Sequence, residues 1–296
     1  MSRGLFPLVC LACALPAAAA GAAPDFRSTR ISVVAKGSGP DVILIPGLAA
    51  SRGIWSSTAA AVPGYRYHFV QVAGFAGTPA GGNEAGPVAA AVAGEIARYA
   101  AARRLNRPAL VGHSMGGSIA MMIGARYPEA VGKVMVVDML PSPARAFSLP
   151  APVMKPLATL IGREMKGIDR LRRDLKPLAA RFGNADWLES SSDAGVMARS
   201  VEELLATDLT PELRRIRAPL TVVYACSATF RHACGPVSRL YAGAYAGRPG
   251  TRLVRIEHSG HTVMWDQPAA FQAALRTFLA APSGPGASKP PFKLPS

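Results

Sequence analysis

The chain is short of cysteine and of acidic residues, and it lacks any apolar run long enough to make a secure membrane span. Of its four cysteines, Cys10 and Cys13 lie in the leading segment MSRGLFPLVCLACALPAAAAGAAPDF. That segment has the form of an export signal, with Arg3 near the start, an apolar stretch from Leu5 to Ala20, and Ala-Xaa-Ala cleavage options of which Ala18 to Ala20 is foremost. The stretch is short for a bilayer and is interrupted by Pro7 and Pro16, which argues against an uncleaved anchor. No lipobox-like sequence precedes either cysteine. The expectation is a signal peptide over residues 1–20, extending to about 23, an exported periplasmic or secreted protein, and no stable membrane insertion after its removal.

Loss of the signal removes the CxxC pattern and leaves Cys226 and Cys234. Two sulfurs form an incomplete zinc set, whereas an oxidising compartment favours a bridge, so a disulfide is expected and a metal is not. The scarcity of acid sets 18 Asp and Glu against 33 Lys and Arg, a formal charge of +15. The excess is scattered, as at Arg103-Arg104, Arg172-Arg173 and Arg214-Arg215, with no aromatic-interleaved basic patch. Nucleic acid is therefore not an expected partner, and solubility or attraction to anionic surfaces accounts for the charge. A chain rich in Ala, Arg, Pro and Gly also mirrors GC-rich coding.

What is present is an alternation. ISVVAK, DVILIP and YHFVQV read as strands, VAAAVAGEIARYAAARR as a helix, ALVG as a strand, SIAMMIGARYP as a helix and KVMVVD as a strand. After an interruption, LTVVYA and RLVRIE read as strands and PAAFQAALRTFLA as a closing helix. Strands alternating with helices predict an α/β fold with a mostly parallel, doubly wound sheet covered on both faces. The interruption, residues 141–216, is rich in Pro, Arg and helix formers and reads as a helical insertion between the core segments 24–140 and 217–281. The tail, residues 282–296, is rich in Pro, Gly, Ser and Lys and reads as disordered. The mature length of about 270 residues suits one domain with an insertion, and no internal repeat is visible.

The chemistry centres on Gly112-His113-Ser114-Met115-Gly116, a GxSxG between an apolar strand and an apolar helix. A serine on so sharp a turn takes a strained backbone, and side chains two residues away on either side would collide with neighbouring elements. The turn also aims Oγ outward at a helix N-terminus, where N–H groups favour developing negative charge. Serine is a weak nucleophile without a base. Among the five histidines, His113 adjoins the serine, His68 lies in a strand and His232 between the two cysteines. His258 and His261 remain, after the last strand, and His261 is preferred because it follows Gly260 in a loop free to reach across the sheet ends. Their HxxH spacing has no further metal ligands in view.

These segments resemble the α/β-hydrolase superfamily over nearly all of the mature chain. GSGPDVILIPGLAASRGIW is similar to the family's oxyanion loop, QVAGFAGTP to the glycine loop after the next strand, GHSMGG to the nucleophile elbow, and SGHTVMWDQPAAF to the histidine loop. The resemblance implies Ser114 as nucleophile, His261 as base, and an oxyanion hole from the backbone N–H groups of Leu48 and Met115. Pro46 stands where the family usually has histidine, a change of little consequence for a backbone donor. It also implies that residues 141–216 form a lid, whose Phe147, Met154, Leu157, Leu160 and Met165 would line an apolar pocket or pack a core.

One departure is larger. Where many relatives place the acid, after LTVVYA, this chain reads CSATFRHACG, without a carboxylate. Asp138, at the end of KVMVVD, is the preferred acid, since some members of the family keep it there; a strand-end cap is its other reading. Asp266, Glu257 and a dyad without acid are the alternatives. The implied activity is hydrolysis of a small-molecule carboxylic ester by acyl transfer to Ser114, with no cofactor. A non-catalytic ligand-binding protein and a cofactor-free peroxidase-type enzyme are the rival readings.

Overall fold

A computed structural model describes residues 26–147, 192–226 and 234–284. The signal segment, most of the insertion (148–191, including Met154, Leu157, Leu160 and Met165), His232 and residues 285–296 lie outside the described residues.

The strands are β1 (Ile31–Gly37), β2 (Asp41–Ile45), β3 (Arg66–Val72), β4 (Ala109–His113), β5 (Lys133–Val137), β6 (Leu220–Cys226) and β7 (Arg252–Glu257). They form one sheet in the order β1-β3-β2-β4-β5-β6-β7. Only β1 is antiparallel, pairing Ile31 with Val72 and Gly37 with Arg66. The rest run parallel, so their C-terminal ends share one edge.

Among the described residues, the α-helices are α1 (Ser56–Ala61), α2 (Ala89–Ala102), α3 (Met115–Arg126), α4 (Ala194–Ala206), α5 (Cys234–Tyr245), α6 (Val263–Asp266) and α7 (Pro268–Ala280). Strand side chains alternate between two cores. In β2, Ile43 and Ile45 join Val92 and Ile96 of α2, Ile119 and Met122 of α3 and Val201 of α4. Val42 and Leu44 face the other way, with Trp55 and with Phe271, Leu275 and Phe278 of α7. Burial on both faces is why β2 reads as an unbroken apolar run after Asp41. Helix α3 is buried from Met115 to Ala125, wedged among α2, β4, β5 and the 3-10 turn Thr210–Arg215. It is apolar all round for that reason.

Within the expected lid, α4 lays Val196, Met197, Val201 and Leu204 into the core. Its Glu203 carboxylate accepts from the N–H groups of Val88, Ala89 and Ala90 at 2.6, 2.7 and 2.8 Å, an anion on the N-terminus of α2. This end of the insertion is fastened to the core. The start of the tail is also held, since the Gly284 N–H donates to the Gly132 carbonyl at 3.1 Å.

Candidate active site

Ser114 sits between β4 and α3 at φ 53° and ψ −122°, a region L-residues seldom adopt. Its N–H donates to the Val137 carbonyl at 2.9 Å, and its carbonyl accepts from Gly117 and Ser118 at 2.7 and 3.2 Å. The turn is therefore clamped to β5 on one side and to α3 on the other. A Cβ on Gly112 would overlap the Gly116 carbonyl, and one on Gly116 would overlap the carbonyls of Ile45 and Pro46. Small residues are thus required on both sides of the serine. Met115 opens α3, so its N–H has no intrahelical partner. The loop after β2 closes on the elbow: a Cβ at Gly47 would stand 3.1 Å from that of Ser114, so this loop, which continues into Leu48, is packed against the serine at Gly47.

His261 follows β7 in the loop before α6. Its Nδ1 lies 2.7 Å from Asp138 Oδ2, and the two side chains are 6 % and 7 % exposed. A carboxylate only accepts, so Nδ1 carries a proton, and in the neutral ring the lone pair is then on Nε2. The other Asp138 oxygen, Oδ1, accepts from the Ala225 N–H at 3.0 Å and from the Tyr241 hydroxyl at 2.9 Å. His113 supports the loop from below, its Nε2 donating to the His261 carbonyl at 2.9 Å and its ring lying 4.7 Å from the His261 ring. Burial first, and then the neighbouring His261, push the His113 pKa down to about 3, so this imidazole stays neutral.

The remaining candidates lie away from this contact. His258 is exposed, at φ 55°. Asp266 accepts from the Gly260 N–H at 2.8 Å and so braces the histidine loop. Glu257 pairs with Arg255 at 2.5 Å. His68 is buried between Tyr99 and Asp41, at 2.8 and 2.9 Å. Cys226 and Cys234 adjoin, with Cα atoms 5.5 Å apart, a separation a disulfide spans. Glu257 lies beside them, and the three offer ligand atoms within 4.8 Å of one another. A disulfide there uses both sulfurs and leaves Glu257 a single ligand.

Reading the sequence alone overlooked the supports: His113 beneath the histidine loop, and Tyr241 behind Asp138. His113 adjoins the serine in sequence, yet its partner is 148 residues away. Nothing local to Tyr241 marks it.

The alpha/beta hydrolase family matches residues 42–274. N-formylmaleamate deformylase of Pseudomonas putida is 24% identical over 254 residues, covering 83% of this chain and 91% of that protein. The pimeloyl-[acyl-carrier protein] methyl ester esterase of Nitrosomonas europaea is 23% identical over 260 residues, covering 81% and 96%. A hydrolase from Pseudomonas aeruginosa shares the fold with a TM-score of 0.64 at 17% identity, covering 85% of this chain and 94% of that one. The match over most of the chain, together with the seven-stranded sheet and the strand-turn-helix elbow at Ser114, places this protein in the alpha/beta hydrolase family.

Proposed function

We propose that the protein is a serine hydrolase that cleaves a small carboxylic ester, with Ser114 as nucleophile, His261 as base and Asp138 as the acid that orients it. The buried 2.7 Å contact between Asp138 and His261, beside the elbow, carries this reading. It leaves His261 Nε2 as the acceptor for a serine proton.

Ser114 Oγ attacks the carbonyl carbon as its proton passes to His261 Nε2. The N–H groups of Leu48 and Met115 hold the oxyanion, a contribution of about 10²–10³ in rate per donor in comparable sites. Collapse breaks the carbon–oxygen bond to the alcohol, which leaves with the proton from His261. Water then attacks the acyl-enzyme by the same route, releasing the carboxylic acid and restoring Ser114. Asp138 keeps the imidazole in the Nδ1–H tautomer and stabilises its charged form.

The reading extends to location: the leading segment serves as an export signal, and the mature protein works in the periplasm or outside the cell. Among the described residues no helix is long and apolar enough to cross a membrane. A small-molecule substrate fits a site at the open edge of a parallel sheet.

The test is fluorophosphonate labelling of the mature protein, followed by assays on methyl esters and N-formyl amides, the groups named by the two relatives. Stoichiometric labelling that vanishes in Ser114→Ala, with turnover of the esters, is expected. Absence of labelling in folded wild-type protein overturns the proposal, and turnover of amides alone overturns its ester part.

A further inference from the structure

We infer that Tyr241 is a positioning residue for the Asp138–His261 pair, fixing the carboxylate from helix α5 so that one oxygen faces the imidazole. The inference rests on the reading of Asp138 and His261 given above. Tyr241 is 7 % exposed, and its hydroxyl donates to Asp138 Oδ1 at 2.9 Å. Together with the Ala225 N–H it occupies Oδ1, which leaves Oδ2 to His261. Two donors on one oxygen prevent the carboxylate from rotating without loss of a buried hydrogen bond.

The tyrosine is itself held. Its ring stacks on Tyr224 of β6, with centroids 4.4 Å apart and planes at 16°, and lies nearly parallel to Tyr245, one turn further along α5. The Tyr245 hydroxyl donates to the Met139 carbonyl at 2.7 Å. Helix α5 thus grips two successive residues, Asp138 through its side chain and Met139 through its backbone. This helix begins at Cys234, beside the end of β6, directly after the loop that lacks the expected acid. Among the described residues, the titratable side chains around the pair are His113 at the end of β4 and Tyr241 and Tyr245 on α5, with Tyr224 of β6 stacked behind Tyr241 and its hydroxyl on Ser238. Burial first, and then the Asp138 carboxylate, hold the Tyr241 phenol well above its usual range, so it remains a donor throughout the working pH range. Tyr245 is raised for the same reasons, and His113 is kept neutral.

The test is Tyr241→Phe, which keeps the stacked ring and removes only the donor. Two readouts are taken: the pH dependence of kcat/KM on p-nitrophenyl acetate, and an NMR titration of the His261 ring. Without the phenol, negative charge gathers on Oδ2 and favours the imidazolium. The acid limb and the His261 titration should both move upward by about 0.5 pH unit, and kcat should fall roughly 3- to 10-fold. Tyr245→Phe, which leaves the Asp138 contact intact, should leave the titration in place. A folded Tyr241→Phe protein with an unmoved His261 titration overturns the inference, even if kcat falls. Failure of the wild type to label at Ser114 or to turn over the ester counts against the hydrolase reading instead, and the NMR titration still decides the role of Tyr241.

Discussion

Ser114 and Asp138 stand at the C-terminal ends of adjacent parallel strands, and both hold a left-handed backbone, with φ of 53° and 51°. Each N–H continues the sheet ladder by one bond, Ser114 to Val137 at 2.9 Å and Asp138 to Val223 at 2.8 Å, while the chain turns away. For non-glycine residues that conformation costs on the order of 1–2 kcal/mol each. The sheet holds both in it, and the two side chains emerge at the same edge.

Asp138→Asn keeps the shape of the site and removes the charge facing His261. If Asp138 acts as the acid, kcat/KM for an ester should fall by about 10²–10⁴, with the melting temperature far less affected. A change below threefold in steady-state assays would eliminate Asp138 from that role.

His113 should make the protein sensitive to mild acid. Its pKa is about 3 when folded, against an ordinary 6.5. The unfolded chain therefore takes up a proton that the folded one refuses. The stability contribution is fully present above about pH 6.5 and declines as pH falls toward about 3, at up to about 1.4 kcal/mol per pH unit for this one group. Urea melts at pH 7, 6 and 5 should show that slope, and His113→Gln should remove roughly one proton from it. An unchanged slope in the variant would contradict the burial argument.

Glu203→Gln should weaken the attachment of α4 to α2. The carboxylate accepts three backbone N–H groups of the α2 N-terminus, and the amide is a poorer acceptor without charge. A loss of about 1–3 kcal/mol is expected in denaturant melts, with fluorophosphonate labelling at Ser114 retained once the protein is folded. A loss under 0.3 kcal/mol would mean that water replaces the contact at no cost.

Thiol counting tests export and the disulfide together. Protein recovered from the periplasm or medium should begin near residue 21 to 24 by mass. It should show no free thiol when denatured without reductant and two after reduction, one from each of Cys226 and Cys234. Cys234→Ser should destabilise it by about 2 kcal/mol. A mass that includes Met1 would refute cleavage, and two thiols before reduction would refute the bridge.

The α/β order, the strand limits and the elbow were legible because each depends on neighbours in sequence. After Asp41, the VILI of β2 is apolar throughout because both of its faces are covered, and GHSMG declares a strand-turn-helix junction through glycines whose replacement would strike nearby carbonyls. Helix α5 escaped notice, since CGPVSRLYAGAY opens with residues typical of a turn and buries only Tyr241, Ala244 and Tyr245. The direction of β1 was equally invisible, because its pairing with β3 is made across the chain.

By itself, the sequence determined the local junction at Ser114, the alternation that makes a parallel sheet and the presence of a histidine loop after the last strand. Only the tertiary structure decided which carboxylate meets His261. Asp266 and Glu257 are nearer along the chain, yet one is turned to the Gly260 N–H and the other to Arg255, while Asp138 arrives from 123 residues away. Proximity of that kind is set by the parallel register of β4, β5, β6 and β7, which gathers their C-terminal ends on one edge. No short window of residues contains that information.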